Sequence, residues 1–430
     1  MKIFCLTLGC AKNRVDSECL AGALDAAGHT VVPSVEEADC ALVNTCGFIR
    51  PAVEESVSAI LDLEELKKNK KLKMIGVVGC LVNRYGDDLR KEVPSVDFWT
   101  RGEEWGKVLE ALKTPLPDLR RRGFLPSSSR FSRYLKISEG CDNRCSYCAI
   151  PFIRGPLCSL PIDVVVREAC QLVGEGAREL CVVGQDLTVY GTDFDGRPRL
   201  IELLDALESS LPRDLWIRLL YLHPSRVNEK LIERVAGGTQ ILPYLDIPVQ
   251  HGDPEMLAAM NRGIEPDALR SIFAAARAIN PDFALRTTCM VGFPGEKKKH
   301  FDNLMNFIRE VQFDRMGAFA FFAEEGTPAA ELPAQLSERT KKKRLGELMG
   351  LQEEISLGRQ NRFEGRELKV LVEKIDKEEN YAEGRSYREA PEVDGTIEIR
   401  DIRDGLKEGD VIAVRVTGVM PHDMMGEEII

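Results

Sequence analysis

Three cysteines near the middle of the chain, Cys141, Cys145 and Cys148, have the spacing C-x3-C-x2-C. They directly follow a predicted strand, so they lie in one loop and can face the same inorganic group. Cysteine thiolates favour iron–sulfur clusters or zinc. A structural zinc site normally takes four protein ligands, and no fourth cysteine or histidine follows at a standard spacing. The spacing favours a 4Fe–4S cluster with one open iron over three unrelated buried cysteines.

Three further cysteines each lie just past a predicted strand in the first part of the chain: Cys10, Cys46 and Cys80. The carboxyl ends of parallel strands surround a common crevice, so these remote residues can meet at one point. Each is next to a glycine, which allows the backbone to approach a bulky group closely. Any one of them alone is better explained as a small buried hydrophobic residue. Together they predict a second three-cysteine site, and the six cysteines predict two 4Fe–4S clusters.

The composition indicates a globular protein in a reducing compartment. Of 430 residues, 44% are hydrophobic and 30% are charged, and the net charge of −11 is unfavourable for a surface that coats nucleic acid. We find neither a membrane-spanning apolar run nor a signal-peptide pattern, so we expect a cytoplasmic protein that needs no membrane. Thirteen cysteines without a secretory signal favour metal or redox chemistry over disulfides. Seven are predicted to be packing residues: Cys5, Cys19, Cys40, Cys158, Cys170, Cys181 and Cys289.

Alternating strand and helix patterns must position these cysteines. Predicted strands of the first part are Ile3–Leu8, Ala41–Val43 and Met74–Val78. Those of the middle part are Tyr134–Ile137, Leu180–Val183, Trp216–Leu219, Tyr244–Ile247, Leu285–Val291 and Met316–Phe321. Those of the tail are Leu368–Val372, Tyr381–Arg385, Thr396–Ile399 and Val411–Val416. We therefore predict an α/β protein with an N-terminal parallel α/β domain (1–115), a linker (116–133), a central partial barrel with a connecting helix (134–362) and a small antiparallel β-barrel (363–430).

The cysteine loop resembles the signature of the radical S-adenosylmethionine enzymes. The resemblance implies a partial (β/α)6 barrel whose open iron chelates S-adenosylmethionine, which is cleaved to a 5′-deoxyadenosyl radical. Polar residues at the predicted strand ends resemble family segments that hold this cosubstrate, although ordinary loop capping explains any one of them about equally well. The candidate cosubstrate contacts are Tyr147, Gln185, Asp186, Arg218 and Gln250.

The whole chain resembles the methylthiotransferases within that superfamily. The matching segments are TLGCAKNRVDSE, NTCGF, the Gly-Cys pair at 79–80, YLKISEGCDNRCSYCAIPFIRGP and VGFPGE. The resemblance implies that the N-terminal cluster carries or relays sulfur, and that S-adenosylmethionine is both methyl donor and radical source. It also implies an external electron donor and a sulfur source. The chain departs from the family at Cys158 and Leu160, where arginines are usual.

The family has two main branches, and the acidic tail favours the one with a protein substrate. One branch modifies an adenosine of transfer RNA; the other, the RimO type, adds a methylthio group to the β-carbon of an aspartate in small-subunit ribosomal protein number twelve. The tail resembles a TRAM domain, but 363–430 holds 18 acidic and 10 basic residues, which repels phosphate and attracts a basic protein. An acidic surface kept only for solubility is the simpler alternative.

Three acidic residues in a turn-rich segment are the predicted substrate-capture group: Glu389, Glu392 and Asp394. We expect them in an exposed loop that faces the barrel mouth. Segments VQHGDPEML, EEGTPAAEL and YREAPEVDG also resemble the RimO type. A non-catalytic iron–sulfur sensor remains the hypothesis of a different class; it needs the cysteines but not the ordered series of strand-end segments.

Overall fold

The computed structural model describes residues 1–102, 104–115 and 122–429. Strands β1 to β5 of the first domain are Lys2–Thr7, Thr30–Val32, Cys40–Thr45, Met74–Gly79 and Phe98–Thr100. Helices α1 to α4 are Ala11–Ala26, Arg50–Lys68, Cys80–Glu92 and Trp105–Ala111. The strands form one parallel sheet in the order β2-β1-β3-β4-β5, with a hydrophobic cluster on each face. Because helices cover both faces, β3 and β4 are buried nearly throughout and are almost wholly apolar.

The sequence predicted the three inner strands but not the two edge strands. β1, β3 and β4 match the predicted segments to within about two residues at either end. β2 and β5 are three residues long each, which is too short to produce a recognisable period of apolar residues. They extend the sheet at its two sides and carry none of the predicted cysteine ligands.

The central domain is a curved parallel sheet in two halves. Strands β6 to β13 are Ser132–Lys136, Ser138–Glu139, Cys158–Ser159, Glu179–Val183, Trp216–Leu219, Tyr244–Asp246, Ala284–Val291 and Arg315–Ala320. One half has the order β10-β9-β6 and the other β11-β12-β13. A parallel bridge between Ile217 and Ile241 connects them, so the six long strands follow one another around a partial barrel. β7 and β8 form a separate small hairpin.

Helices cover the outside of this barrel. Helices α5 to α13 are Ile150–Arg154, Ile162–Gly174, Thr192–Asp195, Leu200–Ser210, Glu229–Gly237, Pro254–Ala259, Pro266–Ile279, Lys298–Val311 and Glu338–Gln360. Their apolar faces and the outer faces of the strands form the largest hydrophobic cluster of the described residues. The long helix α13 begins after Ser337, whose side chain accepts a hydrogen bond from the Thr340 N–H as an N-cap. No helix among the described residues is both long and apolar enough to cross a membrane.

The tail forms a closed five-stranded barrel. Strands β14 to β18 are Glu367–Asp376, Tyr381–Arg385, Ile397–Arg400, Val411–Val419 and Met424–Glu428. The order around the barrel is β14-β15-β16-β18-β17. The first four strands match the predicted ones, whereas β18 was not predicted; it closes the barrel and pairs parallel with β16. Closure leaves no unpaired sheet edge.

The C-terminal barrel packs against the amino ends of the central strands. Glu179 is the first residue of β9, and its carboxylate accepts hydrogen bonds from Arg218 Nε (2.7 Å) and Arg385 Nη2 (2.6 Å). Tyr244, the first residue of β11, donates to Asp394 over 2.7 Å. The cysteine loops follow the carboxyl ends of strands in both α/β domains, so the tail closes the opposite end of the central barrel.

Candidate active site

All six predicted cysteine ligands lie on the wall of one cavity. The cavity has a volume of about 340 Å³ and lies between the first domain and the carboxyl end of the central barrel. The cysteines on its wall are Cys10, Cys46, Cys80, Cys141, Cys145 and Cys148. The two three-cysteine sets therefore face a shared space, which the sequence alone did not indicate.

The first set is assembled at three strand-to-helix junctions. Cys10 precedes α1 after β1, Cys46 follows β3, and Cys80 begins α3 directly after β4. Gly9 and Gly79 have φ of +89° and +101°, which side chains rarely adopt. A Cβ on Gly9 would lie 2.8 Å from the Cβ of Cys46. These glycines allow the three junctions to approach one another.

Two polar side chains connect the junctions of the first set. The amide of Asn13 donates to Leu8 O (2.8 Å) and Thr45 O (3.1 Å). Arg154 comes from the central domain, and its Nε donates to Cys80 Sγ over 3.2 Å. The remaining guanidinium nitrogens of Arg154 bind Glu139 and Asp16 over 2.9 and 3.0 Å. One arginine thus links the first cysteine set to the segment that precedes the second.

The second set lies in the loop between β7 and α5. Cys141 N–H donates to Gly155 O (3.1 Å), and Ser146 N–H donates to Met260 O (3.1 Å). Arg262 extends Nη1 to within 3.3 Å of Cys145 Sγ, while its Nη2 donates to Pro248 O over 2.6 Å. The loop is therefore attached to the segment that follows the fourth long strand of the barrel, β11.

The protonation of the thiols depends on burial. Burial raises the pKa of Cys148 to about 12 and that of Cys80 to about 11, and it also raises the pKa of Cys46 and of Cys141. Iron binds the thiolate form, so metal binding at these positions releases protons. Among the described residues, no three Cys, His, Asp or Glu side chains converge as the ligands of a single ion do. The thiolates of a cubane bind separate irons, so each three-cysteine set fits a cluster.

Cys10 differs from the other cysteines of its set. Burial opposes its ionisation, but the positive charges of Lys12 and Arg154 and two backbone N–H groups outweigh burial and lower the pKa of the Cys10 thiol. It is also the exposed member of the set, open to the cavity. Cys10 is therefore the thiol of the first set that ionises most readily.

Three of the five predicted cosubstrate contacts lie on the cavity wall: Tyr147, Gln185 and Gln250. Gln250 has φ of +72°, a conformation that costs a non-glycine residue about 1–3 kcal/mol. Its side-chain oxygen is buried and has no hydrogen-bond partner among the described residues. A buried, unpaired acceptor fits a ligand that brings a donor, such as the amino group of S-adenosylmethionine. The residues present therefore fit this cosubstrate.

Asp186 supports the cluster loop from outside the cavity wall. Its carboxylate accepts hydrogen bonds from Asn143 Nδ2 (2.8 Å), Arg226 Nη1 (3.0 Å) and Thr188 N–H (2.9 Å). These donors use both carboxylate oxygens. Asp186 thus attaches the second cysteine loop to the end of β9.

The prediction that Arg218 contacts the cosubstrate is wrong. Its side chain is fully buried, and Nη1 donates to Tyr387 O of the C-terminal domain over 2.7 Å. Together with the Arg218–Glu179 ion pair, this contact directs the guanidinium to the amino end of the barrel. The sequence placed Arg218 on the correct strand but could not show toward which end the long side chain extends.

The prediction of an exposed acidic loop at the barrel mouth is also wrong. Glu389 is fully buried and pairs with Arg315 over 2.9 Å, and Asp394, whose side chain is 3% exposed, pairs with Arg286 over 3.3 Å. Only Glu392 is exposed, and it pairs with Arg14 over 3.1 Å. The segment closes the amino end of the barrel, where unpaired carboxylates would be costly, so arginines neutralise them.

Two of the seven predicted packing cysteines are exposed. Cys158 and Cys170 are on the surface, whereas Cys19, Cys40, Cys181 and Cys289 are buried and Cys5 is half-buried. The departure from the family pattern at Cys158 and Leu160 leaves the segment anchored by apolar contact, because Leu160 packs against the central core.

Charged and aromatic residues that the sequence did not single out also line the cavity. Among them are Lys12, Arg154, Tyr221, His223 and Arg262. Lys12 and Arg154 lie inside the quoted family segments, so their positions could have been noted; nothing in the sequence distinguished the other three. Burial and the nearby arginines lower the pKa of His223 to about 3, so this ring is neutral.

Three known families match this chain, one for each of its three folded domains. Residues 2–101 match the uncharacterized protein family UPF0004, residues 135–308 the radical SAM superfamily and residues 365–429 the TRAM domain. A protein of Carboxydothermus hydrogenoformans named ribosomal protein uS12 methylthiotransferase RimO is 40% identical, with 100% of both chains covered. One of the same name from Aquifex aeolicus is 42% identical, covering 100% of this chain and 97% of the relative. The chain belongs to the RimO family.

Solved structures share the fold of this RimO family member at low sequence identity. The radical S-adenosylmethionine methyltransferase TsrM from Kitasatospora setae, with cobalamin and a [4Fe-4S] cluster bound, has a TM-score of 0.57 at 14% identity, and 76% of each chain is covered. The cobalamin-dependent enzyme OxsB, with aqua-cobalamin and S-adenosylmethionine bound, has a TM-score of 0.51 at 11% identity. That comparison covers 82% of this chain and 56% of OxsB. An iron–sulfur cluster and S-adenosylmethionine are the cofactors of this superfamily.

Proposed function

We propose that the protein adds a methylthio group to the β-carbon of an aspartate in ribosomal protein uS12. The observation that carries the proposal is the meeting of both three-cysteine sets on one cavity wall. A transfer of sulfur to carbon needs a sulfur-bearing group and a radical source within reach of the same carbon atom. The RimO relatives, similar over the whole chain, support the uS12 substrate.

We further propose that each set holds one 4Fe–4S cluster. Cys141, Cys145 and Cys148 would hold the cluster that binds S-adenosylmethionine, and the set from the first domain would hold an auxiliary cluster. When bound, the first cluster and its cosubstrate supply a 5′-deoxyadenosyl radical. The protein itself contributes Gln250, Gln185 and Tyr147 as contacts to the cosubstrate. Electrons and sulfur must come from an external donor and a sulfur source.

The charge distribution supports a protein substrate over transfer RNA. The C-terminal barrel contributes −8 of the total charge of −11, because residues 363–430 include 18 acidic and 10 basic residues. Phosphate neutralisation by Lys and Arg supplies most of the affinity for RNA, and this domain has the opposite sign. A basic ribosomal protein is attracted by the same field. Ribosomal proteins are made and assembled in the cytoplasm, where we expect the enzyme to act.

The decisive experiment is mass spectrometry of uS12 after reaction. Anaerobically reconstituted enzyme is incubated with recombinant uS12, S-adenosylmethionine, a reductant and sulfide. We expect one methylthio group on one aspartate, together with 5′-deoxyadenosine. Modification of an adenosine in transfer RNA, with uS12 unmodified, would contradict the proposal; 5′-deoxyadenosine formation also excludes a purely sensory iron–sulfur protein.

Two triple variants test the separate clusters. Reconstituted enzyme should contain about eight irons, and replacing Cys141, Cys145 and Cys148 by alanine should leave about four. The variant Cys10→Ala, Cys46→Ala, Cys80→Ala should also retain about four irons and still cleave S-adenosylmethionine, but form no methylthio product. Loss of all iron in either folded variant would show that the six cysteines form one interdependent site.

A further inference from the structure

The ammonium of one lysine in the cavity makes no ion pair with a carboxylate among the described residues, and its nearest ionisable thiol is that of Cys10. Lys12 is only 6% exposed and lies on the cavity wall, two residues after Cys10. Its ammonium lies 3.7 Å from the centroid of the Tyr221 ring. Among residues 1–102, 104–115 and 122–429, the ammonium forms neither an ion pair with a carboxylate nor a hydrogen bond. A buried charge without a partner is costly, so this position indicates a place for an anion.

The other two cations of the cavity already have partners. Arg154 donates to Glu139 and Asp16 and to Cys80 Sγ. Arg262 donates to Pro248 O and lies within 3.4 Å of Tyr147 Oη. Arg154 is thus neutralised by carboxylates. Arg262 has no carboxylate partner and its buried Nε is unpaired, but both of its terminal nitrogens already contact protein groups, whereas the Lys12 ammonium forms no hydrogen bond among the described residues.

Tyr221 holds the lysine at a fixed place. Tyr221 has φ of +67° at the end of β10, and its N–H donates to Asp246 Oδ2 over 3.0 Å. Asp246 is itself paired with Arg286 over 3.0 Å. The backbone of Tyr221 is therefore attached to β11, and the cation–π contact with its ring positions the ammonium without neutralising its charge.

We propose that Lys12 binds the side-chain carboxylate of the substrate aspartate. This inference rests on the proposed function, in which the reacting carbon is bonded directly to that carboxylate. The carbon must enter the space between the two cysteine sets, and its carboxylate then needs a counter-charge inside the same cavity. Lys12 stands on that wall beside Cys10. It would make the enzyme specific for an acidic residue and place the β-carbon next to the first cysteine set.

The proposal is tested by combining a substitution at Lys12 of the enzyme with a substitution at the target aspartate of uS12. Binding of recombinant uS12 and of uS12 with the target aspartate replaced by asparagine is measured for the wild-type holoenzyme, Lys12→Met and Lys12→Arg. A charge-assisted hydrogen bond predicts that the wild type binds the aspartate form about 10- to 100-fold more tightly than the asparagine form. Lys12→Met should lose this preference, whereas Lys12→Arg should keep part of it. Lys91→Met, at an exposed position near the end of α3, is the matched control.

The outcomes separate this proposal from the proposed function. If the wild type modifies uS12 but Lys12→Met keeps the preference for aspartate, the role of Lys12 is wrong and the function stands. A loss of affinity for S-adenosylmethionine in Lys12→Met, with the preference intact, would also overturn it, because the lysine would then serve the cosubstrate. Iron and sulfide contents verify reconstitution of each variant. If Lys12→Met does not reconstitute, the wild type alone still decides: equal binding of both uS12 forms overturns the proposal.

Discussion

At the scale of single residues, Arg154 connects more of the active site than any cysteine does. Its guanidinium lies between Asp16 of the first domain and Glu139 of the central domain and also contacts Cys80. Arginine suits this place because its planar group carries five donors in a fixed arrangement. The residue thus aligns the two cysteine sets by satisfying charges on both sides of the domain boundary.

We predict that Arg154→Met lowers the free energy of unfolding by about 3 kcal/mol, because the buried Asp16 and the half-buried Glu139 lose a partner and, among the described residues, keep only Lys136 as an ion-pair partner. The measurement is urea unfolding followed by circular dichroism. Arg167→Met is the matched control: its ion pair with Asp163 is 70% and 66% exposed, so we expect a change below about 1 kcal/mol. Equal effects of the two substitutions would show that the buried network contributes nothing.

His223 provides a prediction about pH. Its folded-state pKa is lowered to about 3 by burial and by Arg262 and Arg226, whereas an unfolded histidine has a pKa of about 6.5. Below that value the unfolded chain binds a proton that the folded chain does not. Its contribution to the free energy of unfolding therefore falls by about 1.4 kcal/mol between pH 7.5 and 5.5.

Nuclear magnetic resonance of histidine-labelled protein tests this directly. The signal that disappears in His223→Asn is assigned to His223, and it should remain in the neutral position down to pH 5. The loss of stability between pH 7.5 and 5.5 should also be smaller in that variant. A midpoint near pH 6.5 for the assigned signal would refute the prediction.

At the scale of elements, the active site depends on the junctions where strands end and helices begin. Gly79 ends β4 with φ of +101°, and a Cβ there would lie 2.3 Å from Asn44 Oδ1 and 2.7 Å from Thr45 O. Gly28 also has a positive φ, +80°, but a Cβ there would meet nothing within 4 Å. Both glycines therefore have a backbone conformation that strains other residues. Only at Gly79 would a side chain also collide with its neighbours.

We predict that Gly79→Ala destabilises the first domain by at least about 3 kcal/mol, since strain and steric overlap combine. It should also displace Cys80 and reduce the iron content of the reconstituted protein. Gly28→Ala should cost about 1 kcal/mol from backbone strain alone and leave the iron content unchanged. Iron analysis and urea unfolding of both variants test this; a normal iron content in Gly79→Ala would contradict the close approach of the junctions.

At the scale of the whole molecule, buried ion pairs attach the C-terminal barrel to the central one. Glu179 is fully buried and pairs with both Arg218 and Arg385. These pairs, at 2.7 and 2.6 Å, lower the pKa of Glu179 to about 2 in spite of its burial, so it is charged. We predict that Glu179→Gln weakens the domain contact by about 3–5 kcal/mol, because the buried guanidinium of Arg218 loses its carboxylate partner and that of Arg385 is left with the partly exposed Glu373.

Limited proteolysis measures this effect. The segment that enters β14 should be cleaved faster in Glu179→Gln than in the wild type. Glu202→Gln, whose side chain is 61% exposed, is the control and should be cleaved at the wild-type rate. Identical cleavage of all three proteins would show that other contacts hold the domain.

The acidic C-terminal barrel should act on its substrate over long range. Because charge attraction is screened over about 8 Å at physiological salt, the association rate with uS12 should fall as salt rises. Replacing the exposed Glu378 and Glu379 by lysine should lower the association rate further, several-fold at low salt. Asp87 and Asp88, exposed in the first domain, are the control pair. If both charge reversals lower the association rate equally, the rate depends on the net charge of the protein and not on the position of the charges.

Sequence patterns were enough to predict most of the strands and to select the six cysteines that line the cavity. The C-x3-C-x2-C spacing identified Cys141, Cys145 and Cys148 as candidate ligands, and positions just after predicted strands identified Cys10, Cys46 and Cys80. Sequence patterns located all six parallel strands of the central barrel; β11, only three residues long, was found because the apolar pattern continues to Ile247. The short edge strands β2 and β5 and the closing strand β18 carried too weak a pattern.

Only the tertiary structure decided which residues share a space. Arg218 and Asp394 were predicted to face the cavity or its mouth, but their partners, Glu179 and Arg286, lie toward the amino end of the barrel. Lys12 was not predicted as a site residue, because its lack of an ion-pair partner among the described residues is visible only in the structure. The direction of a side chain and its ion-pair partner depend on residues far apart in the chain. Local sequence patterns do not show which of those residues come together.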